Sequence, residues 1–231
     1  MGRPSAWPCA SRTYGTTSPH AGGAKRRVPP LVALAIAAAW CGPVYALDVV
    51  AIEEHWEMAV GEPDASSSGP QVCMVTTPSG HLDGNYFVFT LNHRSHPEYS
   101  PGGLQVQQWC GEQLLDSRSA PTDEPLHHND EVLRWVQRTA VHGGVLTFEI
   151  LNGESSSWGD FGGDGRLKLT VTTDLTTLNS YRPGTPIEES GVSFAGNRVR
   201  SLVLTKLRWW DSEGHVYEMN APIDIDADLD P

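Results

Sequence analysis

Residues 166–173, Arg-Leu-Lys-Leu-Thr-Val-Thr-Thr, alternate polar and apolar side chains with a period of two. In an extended chain Leu167, Leu169 and Val171 share one face, while Arg166, Lys168, Thr170 and Thr172 share the other, the signature of a half-buried strand. The same period recurs at 50–60 (Val50, Ile52, Trp56, Met58, Val60), 86–91 (Phe87, Phe89, Leu91), 104–109, 145–151 (Leu146, Phe148, Ile150), 198–210 and 214–219. Shorter runs at 72–77, 113–117 and 191–194 fit it less well. A chain patterned this way buries its apolar faces by stacking sheets, not by packing helices.

Turn residues punctuate the runs. Gly143-Gly144, Cys110-Gly111 and the stretch 211–214 leave room only for tight reversals, which makes the joined strands antiparallel, since parallel neighbours need crossovers of a dozen or more residues. Residues 131–141 also fit a helix, with Val132, Leu133, Val136 and Ala140 on one side after Asp130. The strand reading prevails because His142-Gly143-Gly144 has the chemistry of a hairpin tip feeding 145–151. The expected fold is therefore all-β: a single antiparallel β-sandwich of jelly-roll or concanavalin-like type over 47–221, with 222–231 as an acidic C-terminal tail. Residues 64–70, 95–103, 120–130, 153–165 and 179–190 read as long loops.

Lys25, Arg26 and Arg27 precede the apolar run 31–40, and Val44 and Ala46 offer small residues at the minus-three and minus-one positions of a leader-peptidase site. Residues 1–46 thus read as a signal peptide cleaved after Ala46, sending the chain to the periplasm or the extracellular space. A membrane span would need about 20 apolar residues, and this run is interrupted by Pro29 and Pro30 before it and by Gly42 and Pro43 after it. Loss of the leader removes Arg3, Arg12, Lys25, Arg26 and Arg27 from 16 basic residues and none from 28 acidic ones, so 11 face 28 and the net charge falls from −12 to −17. Such a surface repels nucleic acid and anionic lipid.

Cys9 and Cys41 leave with the leader. Cys73 and Cys110 remain, an even pair in a compartment that permits disulfides, and a bridge between them would constrain the unfolded chain by roughly 4 kcal/mol.

Four residues of one glycine-rich segment, Trp158, Asp160, Phe161 and Asp164, combine flat apolar rings with carboxylate acceptors, the mixture a sugar-binding loop uses. Asp160 and Asp164 are also the candidates for a calcium ion, which takes oxygen ligands from flexible loops; no other cofactor is indicated. The alternate aspartates 224, 226, 228 and 230 begin like a calcium loop but lack its glycine and glutamate. His93, His96, His127 and His128 fall in loops without a diagnostic metal spacing. Glu54 shares the apolar face of Val50, Ile52, Trp56 and Met58, and a carboxylate there is paired, wetted or perturbed for acid–base work. Glu149, on the opposite parity to Leu146, Phe148 and Ile150, is its weak partner for glycoside hydrolysis.

These features point first to a secreted binding or structural module that recognises an extracellular carbohydrate or protein without catalysis. The alternative is a small glycoside hydrolase or lyase on the same scaffold, with Glu54 in its machinery. Exposed aromatics would favour the first and convergent carboxylates in a cleft the second.

Overall fold

The computed structural model describes residues 47–60, 72–82, 84–91, 104–119, 131–181, 199–220 and 222–224. These hold twelve strands and no helix: β1 (Val49–Val60), β2 (Val72–Thr76), β3 (Asn85–Leu91), β4 (Leu104–Cys110), β5 (Gln113–Ser119), β6 (Val132–His142), β7 (Val145–Ser155), β8 (Gly159–Phe161), β9 (Lys168–Thr172), β10 (Val199–Asp211), β11 (Val216–Met219) and β12 (Ile223–Asp224). The stretch that also fitted a helix is β6. Its hairpin to β7 closes through Gly143 and Gly144, with φ of 57° and 76° between the directly opposed His142 and Val145, a backbone that side chains with a Cβ resist.

Every strand pair is antiparallel. The larger sheet runs β11-β10-β1-β6-β7-β8, with β12 adding to β10 and β9 to β7; the smaller runs β2-β3-β4-β5. One apolar core joins them. Ile52, Trp56, Met58, Leu133, Trp135, Leu146, Phe148 and Ile150 of the large sheet belong to the same cluster as Met74, Phe87, Phe89, Leu104 and Val106 of the small one. Phe87 stacks on Phe148 at 5.1 Å between centroids, and Phe89 tilts against Trp135 at 5.7 Å. Each such ring taken from water contributes about 1.5–3 kcal/mol. The other face of the small sheet carries a second buried cluster, Val75, Tyr86, Val88 and Trp109.

Five register shifts interrupt the ladders, and some of them re-aim strands whose sequence looks inconsistent. In β10, Leu202 and Leu204 occupy one parity and Leu207 and Trp209 the other, yet all four meet the core. Thr205 is the extra residue: His55 pairs with Lys206 and Trp56 with Leu204, so the strand turns over between them. Trp209 then packs on the core and stacks on Tyr217, while Trp210 lies on the opposite face beneath Arg138 and Arg208. A like shift at Leu151 re-aims the end of β7, and another inserts Leu115 into β5 opposite the step from Gln108 to Trp109 of β4.

Two expectations need correction. The loop read at 153–165 is half strand, because β7 continues to Ser155 and pairs with β8. The bridge between Cys73 and Cys110 is not formed, and Cys110 is an exposed free thiol. Cys73 pairs with Thr90 and Cys110 with Asn85 on opposite edges of β3. Five positions of rise separate them by about 17 Å along the strand, against a limit of about 7 Å between the Cα atoms of a disulfide. No helix among the described residues is long and apolar enough to cross a membrane. The leader 1–46, the run 191–194, His93, His96, His127, His128 and aspartates 226, 228 and 230 lie outside the described residues.

Candidate functional site

Glu54 points into the core between the sheets and is 2 % exposed. Its Oε1 accepts from the Tyr181 hydroxyl at 2.6 Å, and its Oε2 from Gln137 Nε2 at 2.6 Å and Trp56 Nε1 at 3.1 Å. Gln137 extends the network, donating also to Thr76 Oγ1 on the small sheet and accepting from Trp135 Nε1. Among the described residues all of Glu54's hydrogen-bonding partners are neutral donors. Burial therefore pushes its carboxyl above the usual carboxylate range, and the three hydrogen bonds hold it back in part. Tyr181 is driven well above the ordinary phenol value, by burial first and then by the neighbouring negative charge of Glu54. Glu149, its weak partner in the sequence, faces away and pairs with Lys168 at 3.1 Å. This arrangement ties β1, β6, β2 and the segment after β9 together; it offers a substrate no approach.

Of its partners, Gln137 was missed although a signal existed, since Leu133, Trp135, Gln137, Thr139 and Val141 share one parity of β6 and a lone amide among them needs a partner. Tyr181 carried no signal, because it stands in an irregular segment with no period to place it. Glu131, buried at 3 %, was missed for the same reason; its two oxygens accept from the backbone N–H and the hydroxyl of Ser157 and so pin the turn that leads into β8.

The opposite face of the large sheet carries a groove of about 630 Å³. Bulges on both sides shape it: His55 and Glu57 come from β1, Arg134 and Val136 from β6, Asn152 and Glu154 from β7, Asp160 and Phe161 from β8, and Thr205 from β10. Arg134 donates through Nε to Glu57 at 2.7 Å and through Nη1 to Glu154 at 3.1 Å. Among the described residues the carboxylate of Asp160 has no hydrogen-bond or ion-pair partner. The groove is thus rich in hydroxyl-matching donors and acceptors, and it is open to solvent.

The four residues of the glycine-rich segment divide between roles. Asp160 and Phe161 line the groove. Trp158 and Phe161 meet edge to face at 6.1 Å and both pack against the main core. The Phe161 ring lies directly over Gly153, where a Cβ would collide with it. Asp164 turns to Arg166, accepting from its backbone N–H at 2.9 Å and facing its Nε at 3.4 Å. Among the described residues no group of three or more His, Cys, Asp or Glu is arranged around a metal position.

A further polar cluster closes the β10–β11 hairpin. Asp211 Oδ2 accepts from His215 Nδ1 at 2.9 Å and from the Tyr217 hydroxyl at 3.0 Å, and Oδ1 accepts from the backbone N–H of Glu213 and His215. Desolvation pulls Asp211 upward, but these four bonds outweigh it and leave the carboxyl below its ordinary value. The hydrogen bond to Asp211 raises His215 in turn. Comparison with protein-family models and with curated proteins finds no match for the chain.

Proposed function

We propose that the chain is exported by cleavage after Ala46 and acts as a non-catalytic binding module, a β-sandwich of jelly-roll or concanavalin-like type that holds an extracellular carbohydrate. The observation that carries this reading is the groove, where Arg134, Asn152, His55, Thr205 and Asp160 set hydrogen-bonding groups along one open trough of a rigid sheet. A saccharide presents hydroxyls that both donate and accept, and such a lining matches them without a deep pocket. The hydrolase or lyase alternative draws nothing from Glu54, which is enclosed in the core and meets neutral donors alone.

The test is a glycan array with the secreted protein and its Asn152→Ala variant, with N-terminal sequencing to check for Leu47. Binding that weakens by about tenfold in the variant, equivalent to about 1.4 kcal/mol, supports the groove as the site. Silence across the array, or binding indifferent to Asn152, rejects it.

A further inference from the structure

Two rows of charged residues cross the outward face of the large sheet, and only one of them is complete. The first follows the register through Glu218, Arg208, Glu53, Arg138, Glu149 and Lys168, on β11, β10, β1, β6, β7 and β9 in turn. Its signs alternate at every step. Glu53 and Glu149 each stand between two cations, and ion pairs close Glu218–Arg208 at 3.3 Å, Arg208–Glu53 at 3.3 Å and Glu149–Lys168 at 3.1 Å.

The second row lines the groove: Glu57, Arg134, Glu154 and Asp160. It alternates through Glu154 and then breaks. Asp160 sits directly opposite Glu154 on β8, two carboxylates with Cβ atoms about 5 Å apart, an arrangement that repels across a sheet. Arg134 is already shared by Glu57 and Glu154, and among the described residues no cation pairs with Asp160. Where the first row supplies a lysine at this position, the second supplies a like charge beside open groove. Glu154 remains 60 % exposed despite its ion pair, so a ligand can reach both carboxylates.

Resting on the groove as the glycan site, we propose that its ligand is a cationic saccharide bearing free amino groups, whose ammonium takes the place between Glu154 and Asp160. A primary ammonium carries three donors and no acceptor, which suits two facing carboxylates. The neighbouring Asn152, His55 and Thr205 are left for the sugar hydroxyls. Uronate-bearing glycans are excluded by the same charges, and the acidic surface of the whole chain strengthens that sign preference at long range.

The experiment titrates the protein with glucosamine oligomers, N-acetylglucosamine oligomers of equal length, oligogalacturonate and calcium chloride alone, at a mildly acid pH that keeps the amine charged. The free-amine oligomer is expected to bind about tenfold more tightly than its acetylated twin and to weaken with salt. Asp160→Asn erases most of that preference while leaving unliganded protein as stable as before or more so, because it removes a repulsion; Glu154→Gln is the second variant. Equal or better binding of the acetylated oligomer overturns the proposal and leaves the groove reading standing, as does calcium occupying the pair while glycan binding ignores acetylation. Failure of every oligomer to bind, with the array silent as well, overturns both.

Discussion

Glu53 and Glu54 are neighbours on β1 and face opposite ways. Glu53 looks outward, where its Oε1 lies 3.3 Å from Arg208 Nη1 and 3.1 Å from His55 Nε2. Glu54 looks inward and meets a phenol, an indole and an amide. The outward carboxylate is itself only 8 % exposed, but it is balanced by the charge of Arg208, whose side chain is partly open to water and salt. The inward one is solvated by oriented neutral dipoles that neither ion nor water can replace, so each of its bonds is worth more and its burial is opposed more strongly. The same side chain thus holds the interior through geometry and the outer face of the sheet through charge.

The largest break in this comparison is Glu54→Leu. It strands the Trp56 indole N–H and weakens the anchoring of Tyr181 and Gln137, and buried donors left without partners cost about 1–3 kcal/mol each, so a loss of about 3 kcal/mol in urea unfolding is expected. Glu54→Gln keeps the shape and changes the pH response instead. Because the folded carboxyl titrates above its unfolded value, its own contribution to stability is fully present below the ordinary carboxylate range and is lost as pH rises through the folded pKa. The glutamine variant loses that contribution; a difference between wild type and variant that stays flat across this pH range would contradict the buried setting of Glu54.

Gly153→Ala sharpens the contrast at the groove. The new Cβ meets the Phe161 ring on the core side, and the ring's displacement is expected to lower stability by about 2 kcal/mol. Asn152→Ala, one residue away on the solvent side, should stay within about 0.5 kcal/mol. Equal costs in thermal unfolding would mean that the Leu151 bulge does not set the two faces as described.

The smallest effect belongs to the outer row. Glu53→Gln is expected to lower stability by about 1 kcal/mol, the part carried by the partly exposed Arg208 falling as salt rises. Glu54→Leu should keep its full effect at every ionic strength. Parallel salt series on the two variants check the difference.

Strands were readable because alternation is local. The runs at 50–60, 86–91, 104–109 and 145–151 recover β1, β3, β4 and β7 to within a few residues, the ends moving where pairing extends past the apolar run. Glu54 stood out for the same reason, as an acid on an apolar parity. The groove did not stand out. Its residues come from five strands, and which of them are neighbours depends on register and on bulges that a one-dimensional period shows only as contradiction, as at Leu204 and Leu207. Asp160 and Phe161 were found from composition, but Arg134, Glu57 and Asn152 were indistinguishable from any solvent-facing strand residues.

What the amino-acid order decided unaided was the class of element and the inward or outward aim of each side chain between bulges, because a strand's two-residue repeat is set by its own backbone. Tertiary structure alone decided who meets whom. Tyr181 reaches Glu54 across 127 residues, Asp160 comes to face Glu154 instead of a cation, and Cys73 and Cys110 stay apart on opposite edges of β3. Each of these follows from strand order and register, which emerge only when distant segments compete for the same edges and the same buried space.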